Sequence, residues 1–330
     1  MGSLRTIDLF CGAGGCSYGA RNAGTQIIAG FDIWEPATKV FKANFPDAII
    51  YPNDISKLDP SKVKKEIGEI DIILASPECT SHSIAKGAAE RSDESRDTAF
   101  EVVRFAKEFK SPWIVIENVV GIKKWDRYEE LIDELKSLRY KINDEVILNS
   151  ENFGVPQSRI RRFILCSLFE TPNDVKHNGS PKRAVKSILD HSGKYKFTPL
   201  RKEGRAEATI TKAEYAIEIV GRQEPFIIVY YGSGINGNGG WQSINDPLRT
   251  ITTIDRFAYV VPENGDHKMR MLQPEELKIA MGYNPDFILD EVEGLTRRKR
   301  IKLMGNGVCP PVMEKIVQSL IAQREVSGES

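Results

Sequence analysis

The chain has 330 residues, room for two globular domains at ~100–200 residues each. With 41% hydrophobic and 28% charged residues, a wholly disordered chain is excluded, and no run approaches the ~20 apolar residues of a membrane-spanning helix. Lys plus Arg and Asp plus Glu each number 46, so a polyanionic partner must find a local basic surface rather than a basic protein.

A strand-like segment, Thr6–Phe10, opens the chain, so no signal peptide is expected and a cytoplasmic location is. Further strand candidates follow at Ile27–Asp32, Ile70–Ala75, Trp113–Glu117, Glu145–Asn149 and Arg162–Ser167. Between them lie helical patterns at Pro36–Asn44, Thr98–Phe109 and Arg127–Leu138, the last with Leu131, Leu135 and Leu138 forming an apolar stripe. Strands alternating with helices predict parallel pairing in a doubly wound α/β domain. After Phe169 the texture changes. Lys176–Lys212 holds ten Lys/Arg against three Asp/Glu, with weak periodicity. Short strand-like runs, Pro225–Tyr231 and Tyr259–Val261, surround a Gly-rich stretch, Gly232–Gly240, suggesting a smaller, irregular domain with a basic face. Helical segments are expected at Pro274–Met281 and Pro310–Gln323, the latter returning to the first domain; Leu295–Lys302 carries five Lys/Arg, a run expected to be exposed.

Four segments carry chemistry. Asp8-Leu-Phe-Cys-Gly-Ala-Gly-Gly15 ends a strand in a Gly-rich turn that leads toward a helix, and Asp32 ends the next strand. Such a turn lets backbone approach a ligand, and the second acid suits ribose hydroxyls, so an adenosine-containing cofactor is expected. Cys79, within Ala75-Ser-Pro-Glu-Cys-Thr-Ser-His-Ser83, follows a buried strand among polar neighbours, a setting for a nucleophile rather than a core residue. Glu117-Asn118-Val119 places a carboxylate at another strand end, where burial is costly unless the group is paired or used. Gly154-Val-Pro-Gln-Ser-Arg-Ile-Arg161 sets Arg159 and Arg161 two apart, on one face of an extended segment. The five cysteines include no CxxC pair, which points to a reducing compartment; neither a disulfide framework nor a metal site is expected.

Together these segments resemble the C5-cytosine DNA methyltransferases that use S-adenosylmethionine, in the family's order and over almost the whole chain. The resemblance implies a Rossmann-like catalytic domain over 1–175, a target-recognition domain over 176–268, a hinge over 269–303 and a returning segment over 304–330. It gives the cofactor pocket to Asp8, Phe10, Gly12, Gly14, Gly15, Asp32, Ile33, Asp54, Ile55, Asn306 and Val308. Ser95-Arg96-Asp-Thr98, Arg249-Thr-Ile-Thr252 and Gly305-Asn306-Gly307-Val308 match further family segments. It implies Cys79 as nucleophile, Glu117 as the acid on the cytosine edge, and Arg159 and Arg161 as orienting groups, with Ser83, Arg96, Gln157 and Arg249 at the nucleic acid. The loop Ile84–Arg96 is expected to close over a flipped base. One departure stands out: the family usually reads Pro-Cys-Gln then Phe-Ser, whereas this chain reads Glu78-Cys79-Thr80-Ser81-His82-Ser83. Glu78 is expected to point away from the thiol while its carbonyl still serves the cytosine amino group.

The implied activity is methyl transfer from S-adenosylmethionine to carbon 5 of a cytosine in duplex DNA, leaving S-adenosylhomocysteine. A monomer is expected, with no membrane contact and a cognate restriction endonuclease as candidate partner. A tRNA cytosine-5 methyltransferase, a catalytically impaired DNA-binding relative and a dinucleotide-dependent oxidoreductase remain open alternatives.

Overall fold

The computed structural model describes residues 3–77, 98–177, 179–231 and 240–326. Seven strands build the first sheet: β1 (Arg5–Leu9), β2 (Gln26–Phe31), β3 (Ile49–Tyr51), β4 (Ile72–Ala75), β5 (Trp113–Asn118), β6 (Lys141–Asn149) and β7 (Ile160–Ser167). Their spatial order is β3-β2-β1-β4-β5-β7-β6. Every residue of β4 and β5 is buried, because helices cover both faces. Successive side chains alternate between those faces. Ile7, Leu9, Ile73, Ile114 and Ile116 pack against α3 (Pro60–Ile67), α4 (Thr98–Phe109) and α5 (Tyr128–Ser137). Ile72, Leu74, Trp113 and Val115 join a second core with α1 (Gly15–Asn22), α2 (Glu35–Asn44) and α9 (Pro310–Val326). The C-terminal helix α9 shares this core with α1. It lies so close to α1 that a Cβ on Gly19 would stand 2.4 Å from the Pro310 carbonyl.

Two expectations about this sheet need correction. Pairing is parallel from β3 to β5, but β7 runs antiparallel to both β5 and β6. The reason is the β6–β7 connection: a one-turn segment, Ser150–Phe153, and an extended run reverse the chain with no crossover helix. The short β3 also falls outside the expected strands.

The second sheet has the order β10-β9-β11-β12-β8, with β8 (Thr198–Pro199), β9 (Phe226–Val229), β10 (Trp241–Ser243), β11 (Phe257–Glu263) and β12 (Asp266–Met271) all antiparallel. β12 runs to Met271, so a boundary at 268 would cut a strand. The stretch expected to be irregular carries α6 (Glu207–Val220), whose Ala213 and Ala216 pack on Phe226, Ile228 and Val260. Much of its basic charge is engaged internally. Arg201 pairs with Asp266 and Glu214, Lys182 with Glu151, and Lys212 donates to the Val229 carbonyl.

A buried ion pair seats this sheet on α7 (Pro274–Ala280). Arg270 Nη1 and Nη2 lie 2.8 and 2.6 Å from the two Glu276 oxygens, both side chains 2% exposed. The rings of Tyr195, Phe197 and Tyr259 surround the guanidinium at 5.2–5.5 Å. The basic run after Leu295 forms α8 (Arg297–Asn306), and two of its arginines are paired rather than free: Arg297 with Asp255 and Arg300 with Asp290.

Candidate active site

In this strand order the chain leaves β1 toward β2 and β3, then returns to place β4 on β1's other side. The carboxyl ends of β1 and β4 therefore flank a switch point, where open α/β sheets bind ligands. The two ends touch: Ser76 N donates to the Leu9 carbonyl at 3.2 Å. β5, beside β4, delivers Glu117 and Asn118 to the same edge.

The turn after β1 is built by left-handed backbone at Phe10 (φ 59°), Gly12 (54°) and Gly14 (91°). Only glycine adopts this geometry without steric cost. A Cβ on Gly12 would meet nothing within 4 Å, so that residue faces open space, whereas one on Gly15 would stand 2.4 Å from the Val308 carbonyl. Asp32 braces the turn: Oδ2 accepts from Gly12 N at 2.9 Å and Oδ1 from Trp34 N at 2.8 Å. Ile33 beside it is 69% exposed, an unusual position for a large apolar side chain at a sheet edge. Asp54 caps the following short turn through Ser56, which holds its carboxyl below the usual value, and Ile55 is buried. Asp8 is wholly buried and accepts from Ser17 N (3.1 Å) and Ser17 Oγ (2.6 Å); burial pushes its carboxyl up to about 7. Its Oδ1 has no hydrogen-bond partner among the described residues. Val308 is buried against the turn, and Asn306 is exposed at the end of α8. An open glycine face, a braced carboxylate and an exposed apolar side chain fit an adenosine group.

Glu117 is 7% exposed and meets Arg161, with Nε 3.1 Å from Oε1. Burial raises its proton affinity above the ordinary value, opposed by Arg161, by the more distant Arg159 charge and by a Ser76 hydrogen bond. Asn118 Nδ2 donates to the Pro77 carbonyl at 3.2 Å, and Asn118 Oδ1 accepts from Val119 N at 2.8 Å. The strand end is thereby tied to the segment entering Cys79.

The paired arginines diverge. Arg161 reaches Glu117, but Arg159 donates to the carbonyls of Ile251 (3.1 Å) and Gly305 (2.8 Å), joining β7's lead-in to both later segments. Burial holds its guanidinium down to about 10. Gln157, expected at the nucleic acid, is fully buried: Oε1 accepts from Ile251 N at 2.9 Å, and Nε2 donates to Ala280 O at 3.3 Å and contacts Met281 Sδ at 3.0 Å. It therefore presents no surface to a polyanion in this structure. Arg249 is half-buried, its N–H donating to Gln242 Oε1 at 3.0 Å. Cys79, Glu78, Ser83, Arg96, the loop Ile84–Arg96 and most of Gly232–Gly240 lie outside the described residues. Sequence reasoning misses Ser76, whose one signal is its place just beyond a buried strand.

Among the described residues no group of three His, Cys, Asp or Glu is placed to hold a metal ion, and no helix is long and apolar enough to cross a membrane.

Fold and site together define a doubly wound, Rossmann-like methyltransferase domain bearing a second, antiparallel sheet. The chain belongs to the C-5 cytosine-specific DNA methylase family, whose sequence model matches residues 4–322. Among curated relatives, the Type II methyltransferase M.AgeI of Thalassovita gelatinovora is 34% identical over 169 residues, 49% of this chain and 39% of that protein. M.DdeI of Desulfomicrobium norvegicum is 31% identical over 56% of this chain and 45% of its own length. The matches thus span less than half of these two relatives. M.BsuFI of Bacillus subtilis aligns more widely, at 25% identity over 96% of this chain and 72% of its own. In fold, the chain resembles a DNMT2 mutant of Spodoptera frugiperda (TM-score 0.71, 18% identity, 97% and 100% of the two chains). It likewise resembles the methyltransferase EhMeth of Entamoeba histolytica (TM-score 0.67, 16% identity, 98% and 99%).

Proposed function

We propose that this chain methylates carbon 5 of a cytosine flipped out of a specific duplex DNA sequence, using S-adenosylmethionine. The observation that carries the reading is the buried Glu117–Arg161 pair at the sheet edge that also holds the Gly12 turn after β1 and the end of β4. The Type II names of the relatives support a restriction-modification context with a cognate endonuclease as partner.

S-adenosylmethionine, when bound, supplies a methyl group activated by a sulfonium. Asp32 and Asp54 would hold its hydroxyl and adenine edges, Ile33 and Ile55 its apolar face, and Phe10, Gly12, Gly14, Gly15, Asn306 and Val308 the surrounding wall. Asp8 acts from beneath, pinning the first turn of α1 through Ser17.

Carbon 5 of cytosine is too weak a nucleophile to take a methyl group unaided. The Cys79 thiolate adds to carbon 6 and makes carbon 5 enamine-like; after methylation a base removes the carbon-5 proton and the thiolate leaves. An ordinary cysteine of pKa ~8.5 is only ~3% thiolate at pH 7, so local activation is required. Glu117 holds ring nitrogen 3 and the amino group, which also rejects thymine. Arg161 fixes Glu117; Arg159 instead fixes the two later segments against β7. A stacked base exposes no face to the thiolate, so the cytosine must leave the helix, at a cost of a few kcal/mol. The second sheet and the basic residues around it, with Arg249, Ser83 and Arg96, would hold the duplex.

Labelled methyl transfer onto duplex DNA and onto tRNA tests this reading. Incorporation into DNA at one sequence supports it; incorporation into tRNA alone overturns the DNA assignment.

A further inference from the structure

Two segments flank the glycine turn: the junction of β2 and α2, Asp32 to Trp34, and the end of α8, with Val308 just beyond it. Asp32 ties the first to the turn, since one oxygen accepts from Gly12 N at 2.9 Å and the other from Trp34 N at 2.8 Å. Val308 packs the second against it, where a Cβ on Gly15 would stand 2.4 Å from the Val308 carbonyl. The two segments also meet through side chains. Lys302, one helical turn before Asn306, holds Nζ over the Trp34 ring, 4.5 Å from its centroid. Resting on the reading of the glycine turn as the S-adenosylmethionine site, we propose that Lys302 is a positioning residue: it holds the Trp34 indole in place as a wall of that site before the cofactor arrives.

The helix fixes where the ammonium stands. At the start of α8, Arg297 donates to Asp255 Oδ2, Gln273 Oε1 and the Leu272 carbonyl, each at 2.6 Å. At its end, a Cβ on Gly305 would lie 2.3 Å from the carbonyl carbon and oxygen of Thr252, and the Gly305 carbonyl accepts from Arg159 at 2.8 Å. Both ends are thus anchored on the segment that leads into β11, and Lys302 projects from a rigid frame between them.

Trp34 needs such a hold. Its ring is half-buried, packed in part against the core and in part open. A half-open side chain that must be ordered when a ligand binds subtracts that ordering from the affinity. A cation over an aromatic face is attracted by the ring quadrupole, most strongly for tryptophan. Two other basic residues of the same helix, Arg297 and Arg300, pair with carboxylates, whereas Lys302 stands over the ring. Ile33 beside Trp34 is 69% exposed, so an ordered indole extends an apolar surface already present at this edge.

Calorimetry with S-adenosylhomocysteine and 15N spectra of the full chain labelled at tryptophan test this. The chain has four tryptophans, and Trp34→Phe identifies the Trp34 indole signal by its loss. Lys302→Met keeps most of the stem and removes the charge. It should shift that signal in the protein without ligand and weaken binding about fivefold. Lys302→Arg should retain most of the affinity. In a Trp34→Leu background, Lys302→Met should change the affinity little, because the ring it holds is gone. Wild-type affinity in Lys302→Met overturns the proposal. So does an equal loss in both backgrounds, which would mean that Lys302 acts on the cofactor directly. If circular dichroism shows Lys302→Met unfolded, the same comparison with Lys302→Gln decides. A wild type that binds no S-adenosylhomocysteine contradicts the cofactor reading itself and takes the proposal with it. The proposal alone fails when the wild type binds and the variants bind equally well.

Discussion

Arg161 Nε stands 3.1 Å from Glu117 Oε1, with 18% and 9% of the two side chains exposed. The pair joins neighbouring antiparallel strands, β5 and β7, at the edge that also receives the glycine turn. Because the carboxyl is otherwise desolvated, the guanidinium is the main reason it can carry charge there.

Arg161→Ala should therefore raise the proton affinity of Glu117 further and lower methyl transfer by ~100-fold. Arg161→Lys should recover part of the loss, since a point charge replaces a fork. Steady-state rates between pH 6 and 8 check this. A full rate in the alanine variant would detach the pair from the chemistry.

Arg159 answers to a different readout. It holds two buried carbonyls, Ile251 and Gly305, from separate segments. Arg159→Ala leaves both short of a charged donor and should cost ~3 kcal/mol in urea denaturation. Lysine should not restore it, because one ammonium cannot bridge both carbonyls in this geometry.

Asp8 makes stability depend on pH. Its folded pKa of about 7 lies above the ordinary aspartate value of 3.8, so the neutral form is the one that folding favours. The contribution is fully present below the unfolded value and is lost as pH rises through about 7. Each pH unit that separates the folded from the unfolded value is worth ~1.4 kcal/mol, so the loss amounts to a few kcal/mol. Denaturation of wild type and Asp8→Asn across pH 4 to 8 should show wild type losing stability relative to the variant. Parallel curves would contradict this.

Gly15→Ala would drive a methyl group to 2.4 Å from the Val308 carbonyl and 2.8 Å from Tyr283 Oη. Overpacking of this kind costs ~1–3 kcal/mol, and here it pushes α1 away from the returning segment. Calorimetry with S-adenosylhomocysteine should show binding weakened at least about tenfold, a loss of ~1.4 kcal/mol.

Much of the first domain is legible in the sequence because its strands are short apolar runs separated by amphipathic stripes. The helix Thr98–Phe109 matches its expected bounds to the residue, and the strand Trp113–Glu117 to within one. The features that escape a sequence reading are governed by tertiary partners. The direction of β7 depends on a connection with no periodicity to read. α6 is hidden because its apolar face is only partly buried and the preceding stretch is crowded with lysine and arginine. At the site, spacing puts Arg159 and Arg161 together, yet their hydrogen-bond partners lie on different segments. Gln157 reads as a polar surface residue because a buried amide is recognisable only once Ile251, Ala280 and Met281 surround it.

The proposed chemistry turns on a transient bond between the sulfur of Cys79 and carbon 6 of a target cytosine. Duplex DNA with 5-fluorocytosine at the target blocks the final elimination, since fluorine cannot leave as a proton. Incubated with this DNA and S-adenosylmethionine, the protein should give a denaturation-stable conjugate by mass spectrometry, absent in Cys79→Ser. No conjugate on a sequence that the same preparation methylates, or an undiminished one in Cys79→Ser, would contradict this mechanism.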